Sequence, residues 1–352
     1  MLLEDTLNRI VPPGGDAAAR AKERWDSLAK PLGSLGLLEE AVIRIAAMTD
    51  DPDYFPEKCA LAVMCADNGV VAQGVTQTDS SVTALVAENL ACGKSVVNVM
   101  AKQAGADVFP IDVGMAQDVP ADGLWRKKVT YGTRDITVGP AMTRQQAVQA
   151  IEAGIETARL LAAQGYRLLA AGEMGIGNTT TGSAVTAVLL DQPPERVTGR
   201  GAGLSREGLA RKISAIRQAI LINRPNPSDP IDVVSKVGGF DLAAMAGLYL
   251  GGAALKLPVM LDGVISAAAA LLAAHLCPAC REYMVASHVS GEPAGAMLLD
   301  ALGLRAFLTA GMRLGEGTGA IAALPVLKMA YTVYFGTSTF SQIQMDPYRP
   351  LD

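Results

Sequence analysis

The chain has 352 residues, carries a net charge of −5 and is 50% hydrophobic. So large an apolar fraction excludes a disordered chain, and the acidic balance argues against a dedicated nucleic-acid binder, whose contact surface would be basic. Thirty-six glycines beside only 5% aromatic residues favour many tight turns between strands and helices over an aromatic-rich β-sandwich. A length of this order suits two domains, or one large α/β domain with an appendage.

Neither export nor membrane insertion is expected. The first residues hold no basic segment followed by an apolar one, and the apolar stretches near Leu242–Leu255 and Gly263–Leu276 are shorter than the ~20 residues that a membrane span needs. Cys277 and Cys280 are spaced as CxxC near His275, but no second pair follows them among the five cysteines. We interpret them as buried structural thiols rather than a metal or redox site, and we expect a cytoplasmic protein.

The first predicted elements are two helices. Apolar residues recur at helical spacing from Ala17 to Met48, and the segment Lys30–Gly36, which holds one proline and two glycines, interrupts the run. A second helix is therefore predicted over Leu37–Met48. The break is either a turn between the two helices or a loop that helps to close a site.

Beyond these helices the pattern becomes an alternation of short apolar runs and longer helix-like stretches. The runs read as buried parallel strands, and they are Ala60–Ala66, Val108–Ile111, Leu168–Ala171, Pro258–Leu261 and Tyr283–Ala286. The predicted helices are Ser80–Ala104, Arg144–Gln164, Ser183–Leu190, Leu209–Asn223, Leu242–Leu255, Gly263–His275 and, at the end, Gly319–Tyr334. The alternation predicts an α/β fold, a Rossmann-like open parallel sheet with helices on both faces, with the helices from both chain ends forming a smaller unit.

A polar residue follows each predicted strand. The five residues are Asp67, Asp112, Glu173, Asp262 and His288. Ligands of open parallel sheets bind beyond the carboxyl ends of the strands, so these side chains are candidates for a site. Any one of them alone is as well explained as a helix cap or a turn former.

Three glycine-rich segments lie at the ends of predicted strands or at the starts of predicted helices: Gly172–Gly182, Gly199–Ser205 and Met312–Gly319. Exposed backbone N–H groups at such turns favour an anion such as a phosphate, and Arg200 and Lys212 are nearby cations. Ordinary turns are the alternative explanation. The dinucleotide pattern GxGxxG is not matched, and the run that ends in Gly93-Lys94-Ser95 lacks the first glycine of a P-loop.

Seven motifs resemble one enzyme family along nearly the whole chain. They are Lys30-Pro-Leu-Gly-Ser-Leu-Gly, Met64-Cys-Ala-Asp-Asn-Gly-Val, Gly172-Glu-Met-Gly-Ile-Gly-Asn-Thr-Thr, Lys236-Val-Gly-Gly-Phe-Asp, Leu261-Asp-Gly, Ser287-His-Val-Ser and Met312-Arg-Leu-Gly-Glu-Gly-Thr-Gly-Ala. Together they resemble the nicotinate-nucleotide–dimethylbenzimidazole phosphoribosyltransferases, the CobT family. The last motif is the most specific of the seven.

The resemblance implies a reaction and a domain organisation. Phosphoribosyl would pass from nicotinate mononucleotide to an aromatic base, giving nicotinate and an α-riboside phosphate for the lower ligand of cobamides, with no cofactor and no metal. A Rossmann-like catalytic domain over residues 56–310 would be completed by a small helical domain from residues 1–55 and 311–352. The family implies a dimer, either a homodimer or a heterodimer with a paralogous subunit.

The resemblance also implies roles for single residues. Glu316 would be the catalytic base that takes the proton from the attacking azole. The nucleotide and its phosphate would be bound by Glu173, Gly175, Ile176, Gly177, Asn178, Thr179, Thr180, Gly201, Gly203, Lys212 and Asp262. The acceptor base would contact Asn68, Thr78, Val86, Ser290, Met312 and Leu314.

The chain departs from its enterobacterial relatives in the expected acceptor pocket. Thr78 and Val86 stand where those relatives have Ser and Gln, and Asn68 stands where they have His. A more apolar pocket leaves open a phenolic acceptor beside a benzimidazole. Two other functions stay open at this point: a noncatalytic nucleotide-binding subunit that supports a paralogous partner, and a nicotinamide-dependent dehydrogenase, which the missing fingerprint disfavours.

Overall fold

A computed structural model describes residues 1–349 of the chain and places six parallel strands in one sheet. The strands are β1 (Cys59–Ala66), β2 (Ala106–Gly114), β3 (Trp125–Arg126), β4 (Leu168–Met174), β5 (Val259–Leu261) and β6 (Met284–Ala286), in the order β3-β2-β1-β4-β5-β6. This order and the parallel pairing confirm the predicted Rossmann-like sheet. Every residue of β1 is buried, and because successive side chains point to opposite faces, both faces of the sheet are covered.

The helices fill the connections between the strands. They are α1 (Leu2–Leu7), α2 (Asp16–Ser27), α3 (Leu37–Thr49), α4 (Ser81–Ala91), α5 (Val96–Ala104), α6 (Arg144–Ala163), α7 (Asn178–Leu189), α8 (Pro194–Val197), α9 (Arg206–Asn223), α10 (Pro230–Val237), α11 (Phe240–Ala254), α12 (Val264–Leu276), α13 (Gly295–Leu302) and α14 (Thr318–Gly336). Short 3-10 helices lie at Gly69–Gln73 and Pro278–Tyr283.

Two predicted helices differ from the observed ones. The single helix predicted over Ser80–Ala104 is two helices, because Gly93 has a φ of 72° and Ser95 starts α5 with a capping box to Asn98. The helix predicted from Ser183 begins earlier, directly after Gly177. The strand β3 and the short helices α1, α8, α10 and α13 were not predicted, because segments this short carry little periodic signal.

Glycines allow α6 and α11 to pack closely in the core. A Cβ atom on Gly154 would lie 1.8 Å from the carbonyl oxygen of Ala244, and one on Gly247 would lie 1.9 Å from that of Ile151. No side chain fits at either position, so the two backbones touch directly. This contact explains why the Ala- and Gly-rich stretch near residues 242–255 forms a helix inside the fold.

Helix α2, near the start of the chain, contacts α14 and the residues that follow it. The Trp25 and Tyr334 rings lie 5.1 Å apart, Arg24 Nε donates a hydrogen bond to the Tyr334 carbonyl oxygen at 3.0 Å, and Leu28 pairs with Thr339. Helices α2, α3 and α14 therefore form one packed group. The domain boundaries at residues 55 and 310 remain a prediction.

The segment Lys30–Gly36 is a turn between α2 and α3. Lys30 Nζ and the Leu35 N–H both donate to Glu39 Oε1, at 2.7 and 2.9 Å, so the buried Glu39 carboxylate fixes the turn from inside.

By length and composition, helix α14 is the one helix in residues 1–349 that could cross a membrane. Half of its apolar stretch, however, is buried inside the fold. At 19 residues it is longer than the apolar stretches near residues 242–255 and 263–276. A helix packed inside a protein passes the same test. All five cysteines are free thiols.

Candidate active site

The topological switch point of the sheet lies between β1 and β4. From this point the strand order continues to β2 and β3 on one side and to β5 and β6 on the other. Crevices at such a point, beyond the carboxyl ends of the strands, are the usual ligand sites of this architecture. A cavity of about 220 Å³ lies here. Its walls come from the loop after β4, residues 75–78, the loop around residues 200–204, the start of α12, and the loop that precedes α14.

The loop before α14 holds Glu316 in a left-handed conformation with a φ of 60°, between Gly315 and Gly317, whose φ angles are 89° and 87°. Such a conformation is unfavourable for a non-glycine residue and needs support from its surroundings. Asp262 supplies it. Its carboxylate accepts hydrogen bonds from the Gly317 N–H at 3.0 Å and the Gly319 N–H at 2.7 Å. The carboxylate thus caps α14 and anchors Glu316 in the cavity wall.

Glu316 has the features of a general base. Its Oε2 atom is buried and has no hydrogen-bond partner among residues 1–349. Burial raises the pKa of Glu316 above its usual range, and the nearby Asp262 raises it further, whereas the Ser95 hydroxyl and the Val97 N–H at the start of α5 lower it. A carboxylate with a raised pKa and an unused oxygen accepts a proton more readily than an exposed one.

Glu173, at the end of β4, faces the same cavity in a different environment. It is 7% exposed, its Oε2 accepts a hydrogen bond from Asn178 Nδ2, and its Oε1 lies against Gly315, where a Cβ would be 2.4 Å away. Burial first, then the charges of Asp241 and Asp262, raise the pKa of Glu173 well above its usual range. The shift is toward the protonated form, which can donate a hydrogen bond to a hydroxyl group.

The loop Gly175–Thr179 presents the start of α7 to the cavity. Gly177, with a φ of 95°, is the N-cap. The N–H groups of Asn178 and Thr180 donate to the Gly175 and Gly177 carbonyl oxygens, whereas the N–H of Thr179, which lines the cavity, has no acceptor among residues 1–349. Lys212 lies directly behind. Its Nζ donates to Thr179 Oγ1 at 2.7 Å and to the Gly199 carbonyl oxygen at 3.2 Å, and burial lowers the pKa of this lysine to about 8. These groups suit an anion such as a phosphate.

The structure brings most of the predicted site residues to the cavity wall. Those that line it are Thr78, Glu173, Gly175, Ile176, Gly177, Asn178, Thr179, Gly201, Ser290, Leu314 and Glu316. Thr180, Lys212 and Asp262 are buried behind the wall. Gly203, Met312 and Val86 lie outside it, with Val86 on α4 packed against the core. Asn68 is 1% exposed and accepts from Thr181 Oγ1 at 3.2 Å, behind the Gly175–Thr179 loop.

The polar residues after the strands divide into two groups. Glu173 and His288 line the cavity. Asp67 instead accepts from the Ala116 N–H at 2.8 Å, and Asp112 accepts from the Gly114 and Met115 N–H groups at 3.1 and 3.0 Å. Together with Asp262, these two carboxylates bind backbone N–H groups, so for them the cap-and-turn explanation applies.

Sequence reasoning did not assign several residues of the wall: Val75, Thr76, Gln77, Glu292 and Arg313. Arg313 stands three residues before Glu316 in the most specific motif, so its position was the available signal. The other four lie in loops without a periodic pattern. Within residues 1–349 no group of three or more His, Cys, Asp or Glu side chains is arranged to hold a metal ion.

Known proteins resemble this chain along almost its whole length. A family model described as Phosphoribosyltransferase matches residues 10–345. The chain is 45% identical over its full length to the full-length nicotinate-nucleotide–dimethylbenzimidazole phosphoribosyltransferase of Ruminiclostridium cellulolyticum. It is 46% identical to the enzyme of the same name from Acetivibrio thermocellus, with 99% of each chain covered.

A solved structure has the same fold. The crystal structure of CobT from Thermus thermophilus superposes with a TM-score of 0.90 at 42% identity, covering 94% of this chain and 99% of that one. The family model, the relatives and the solved structure each match more than nine-tenths of the chain. The chain therefore belongs to the nicotinate-nucleotide–dimethylbenzimidazole phosphoribosyltransferase family.

Proposed function

We propose that this protein transfers phosphoribosyl from nicotinate mononucleotide to an aromatic base of the benzimidazole type, with Glu316 as the catalytic base. One observation carries the proposal: the unpartnered, buried carboxylate oxygen of Glu316 lies in the wall of the cavity that also contains the loop Gly175–Thr179 and the start of α7. A proton acceptor and a phosphate site in one cavity are what this transfer requires. The relatives reported above are named for the same reaction.

The reaction follows from the chemistry of the two substrates. The acceptor nitrogen forms a bond to C1′ of the ribose as the bond from C1′ to the pyridinium nitrogen breaks. The electron pair of the broken bond stays with nicotinate. The pyridinium is already cationic, so the leaving group is activated. Attack from the opposite face inverts C1′ from β to α. The second azole nitrogen loses its proton to Glu316, which leaves a neutral riboside.

The nucleotide side of the cavity is assigned to three groups. The backbone N–H of Thr179, at the start of α7, and the charge of Lys212 would hold the phosphate. Lys212 acts from behind Thr179, to which it is hydrogen-bonded. Glu173, in its protonated form, would donate a hydrogen bond to a ribose hydroxyl rather than stabilise positive charge at C1′.

For the acceptor, the wall favours a flat apolar ring. Val75, Leu314, Val264 and Ile265 line the cavity, and Thr76 and Thr78 add hydroxyl groups. The substitution at Val86, which left a phenolic acceptor open, lies outside the wall. This placement removes the structural reason to prefer a phenol, so we propose a benzimidazole.

The proposal also covers the oligomeric state, the domain organisation and the cellular location of the protein. We infer a dimer, with an identical or a paralogous subunit, and a small domain built from residues 1–55 and 311–352. The contacts between Trp25 and Tyr334 and between Leu28 and Thr339 support the latter. Five free thiols suit a reducing compartment and support a cytoplasmic protein.

The test supplies nicotinate mononucleotide with dimethylbenzimidazole, adenine, phenol or p-cresol and measures nicotinate release and the riboside formed. We expect fast release with dimethylbenzimidazole and an α-riboside product. Fast release only with a phenol would correct the acceptor. No release with any acceptor, while the nucleotide still binds, would favour the noncatalytic subunit instead.

A further inference from the structure

His288 lies in the cavity wall but has no part in the transfer described above. It is 3% exposed, and its ring lies against the first turn of α14. A Cβ on Gly319 would be 1.9 Å from His288 Nδ1 and 2.1 Å from Cε1, so only glycine leaves room for the ring there. The backbone therefore fixes the position of the imidazole at the edge of the cavity.

Ser287 determines which nitrogen of this ring has a hydrogen. Ser287 is fully buried, and the one hydrogen bond of its hydroxyl among residues 1–349 joins Oγ to His288 Nδ1 at 3.0 Å. A buried hydroxyl hydrogen needs an acceptor, so Ser287 donates and Nδ1 accepts. A neutral imidazole that accepts at Nδ1 has its hydrogen at Nε2. Nε2, which has no partner among residues 1–349, is therefore a hydrogen-bond donor.

A protonated ring is the alternative, and Asp262 bears on it. Burial raises the pKa of Asp262, and a positive charge on His288 lowers it, so this neighbour would stabilise a protonated ring. Nδ1 would then be a donor, however, and would leave the buried Ser287 hydroxyl hydrogen without an acceptor. The Asp262 carboxylate already accepts from the Gly317 and Gly319 N–H groups. In the neutral Nε2–H form the serine and the carboxylate both keep their partners.

The Nε2 donor shares a small space above Gly263 with a second donor. The point where a Cβ on Gly263 would lie is 3.9 Å from His288 Nε2 and 3.8 Å from Ser290 Oγ. Ser290 Oγ accepts from the Glu292 N–H at 3.3 Å, and its own hydrogen has no acceptor among residues 1–349. Gly263, His288 and Ser290 all line the cavity. Because residue 263 has no side chain, the two donors face the same open space.

Two convergent donors match a carboxylate, which has two oxygens that both accept. Dimethylbenzimidazole has no oxygen, and both of its nitrogens are used in the proposed transfer, one at C1′ and one at Glu316. In nicotinate mononucleotide the phosphate is assigned to Thr179 and Lys212, and a ribose hydroxyl to Glu173. The carboxylate on the pyridinium ring is the group that still needs donors.

From this geometry we propose that the His288 Nε2–H and the Ser290 hydroxyl bind the carboxylate of the nicotinate ring, and that Ser287 is a positioning residue that keeps His288 in the Nε2–H form. The inference rests on the proposed phosphoribosyl transfer. It assigns Ser290, which the family resemblance gave to the acceptor base, to the nucleotide. It also predicts selection of nicotinate over nicotinamide, because the NH2 group of a carboxamide cannot accept from the second donor.

The position of the ring hydrogen can be measured directly, because the chain has only two histidines. In protein with isotopically labelled histidine, nitrogen NMR at pH 8 distinguishes a ring nitrogen with a hydrogen from one without. His275 is exposed in the last turn of α12 and does not line the cavity, so His275→Gln assigns the two rings. We expect His288 to have its hydrogen at Nε2 in the parent protein, and both neutral forms to coexist in Ser287→Ala. A parent ring with its hydrogen at Nδ1, or at both nitrogens, would overturn the role of Ser287.

The subsite is tested by kinetics with nicotinate mononucleotide and nicotinamide mononucleotide as alternative substrates. We expect the parent to prefer the nicotinate form, and Gly263→Ala to reduce the ratio of the two kcat/KM values about 10- to 100-fold, the effect of hydrogen bonding to one charged group. The added methyl group would meet its neighbours at ordinary contact distances. The melting temperature should therefore stay unchanged while the methyl group fills the subsite.

His288→Gln and His288→Asn are a matched pair. A glutamine amide reaches the place of Nε2 and can still donate, whereas the shorter asparagine amide takes the place of Nδ1. We expect His288→Asn to lose the preference for the nicotinate form as Gly263→Ala does, and His288→Gln to keep most of it. The control His275→Gln should match the parent.

The inference and the proposed function fail in different ways. If the parent releases no pyridine base from either nucleotide, the proposed function fails. If the parent is active, but its preference for the nicotinate form is absent or survives both Gly263→Ala and His288→Asn, only the carboxylate subsite fails.

Discussion

Glu316 and Glu173 line one cavity, and burial raises the pKa of both, but their other partners differ. Glu173 is almost fully enclosed and has three other carboxylates near it, which favours the neutral acid. Glu316 is less enclosed, and the Ser95 hydroxyl and the Val97 N–H favour its charged form. Two acids whose environments separate their pKa values can serve as donor and acceptor in the same site.

Lys212 gives the first prediction for a single residue. Its pKa of about 8 means that the free enzyme loses this charge as the pH rises through 8, so kcat/KM for the nucleotide should fall above that pH. Lys212→Met should lower kcat/KM about 10- to 100-fold at pH 7, the effect of one charge-assisted hydrogen bond, and flatten the alkaline limb. Kinetics from pH 6 to 10 measure both effects.

The control is Lys236→Met, which removes a lysine paired with Asp232 away from the cavity. It should leave the alkaline limb in place. A Lys212→Met profile that still bends near pH 8 would show that another group titrates there.

Single residues were predictable where a local pattern isolates them. A glutamate between two glycines before a helix, as at Glu316, is visible in sequence. The role of Asp262 was not visible, because its partner Gly317 lies 55 residues later in the chain. Asn68 and Thr181, whose side chains share a hydrogen bond, likewise meet only in the folded chain.

At the scale of elements, the cap of α14 connects stability to the site. Asp262→Asn replaces an oxygen that accepts from the Gly317 or Gly319 N–H with an NH2 group that cannot, leaving a buried donor unpaired. We expect a loss of about 1–3 kcal/mol in the free energy of unfolding and a lower kcat, because Glu316 would no longer be held in its left-handed conformation. Denaturant unfolding and kinetics test both. A stability loss with unchanged kcat would contradict the link.

The contact of α6 with α11 gives a second prediction. Gly247→Ala places a methyl group 1.9 Å from the Ile151 carbonyl oxygen, so the helices must separate, and we expect a loss of about 3 kcal/mol. Gly139→Ala is the control, since a Cβ atom at that residue would meet nothing within 4 Å. Thermal unfolding compares them; equal stability of the two variants would mean that the helices separate at no cost.

Element boundaries were predicted best where polar caps and glycines flank long periodic runs, as for α6. The break between α4 and α5 was missed because the residues on both sides of Gly93 keep a helical pattern. Only the αL turn and the capping box of Ser95 separate them.

At the scale of the molecule, buried acids make the free protein sensitive to pH. The pKa of Asp241 is raised to about 6 in the folded state, above the ordinary value of about 4, so the folded state binds its proton more tightly than the unfolded state. The stability this contributes is present at low pH and is lost as the pH rises through 6. The melting temperature of the parent protein should therefore fall more between pH 5 and 7 than that of Asp241→Asn. An equal fall in the melting temperatures of the two proteins would contradict the raised pKa of Asp241.

The sheet as a whole was predictable in type but not in order. Alternation of apolar runs and helices indicates parallel strands, and the polar residue after each run indicates the functional edge. The order β3-β2-β1-β4-β5-β6 depends on contacts between distant segments. It also decides which strand ends meet: residues at or after the ends of β4, β5 and β6 line the cavity, and Asp112 on β2 is left outside it.

The most direct test of the central claim, that Glu316 accepts the acceptor's proton, is the kcat of Glu316→Gln with saturating nicotinate mononucleotide and dimethylbenzimidazole. We predict a fall of about 10²–10⁴-fold, with nucleotide affinity unchanged within a few-fold and with loss of the acid limb of the parent's pH profile. Glu156→Gln, which removes an exposed carboxylate paired with Lys127, should keep the parent's kcat. A Glu316→Gln variant that turns over within a few-fold of the parent would contradict this role for Glu316.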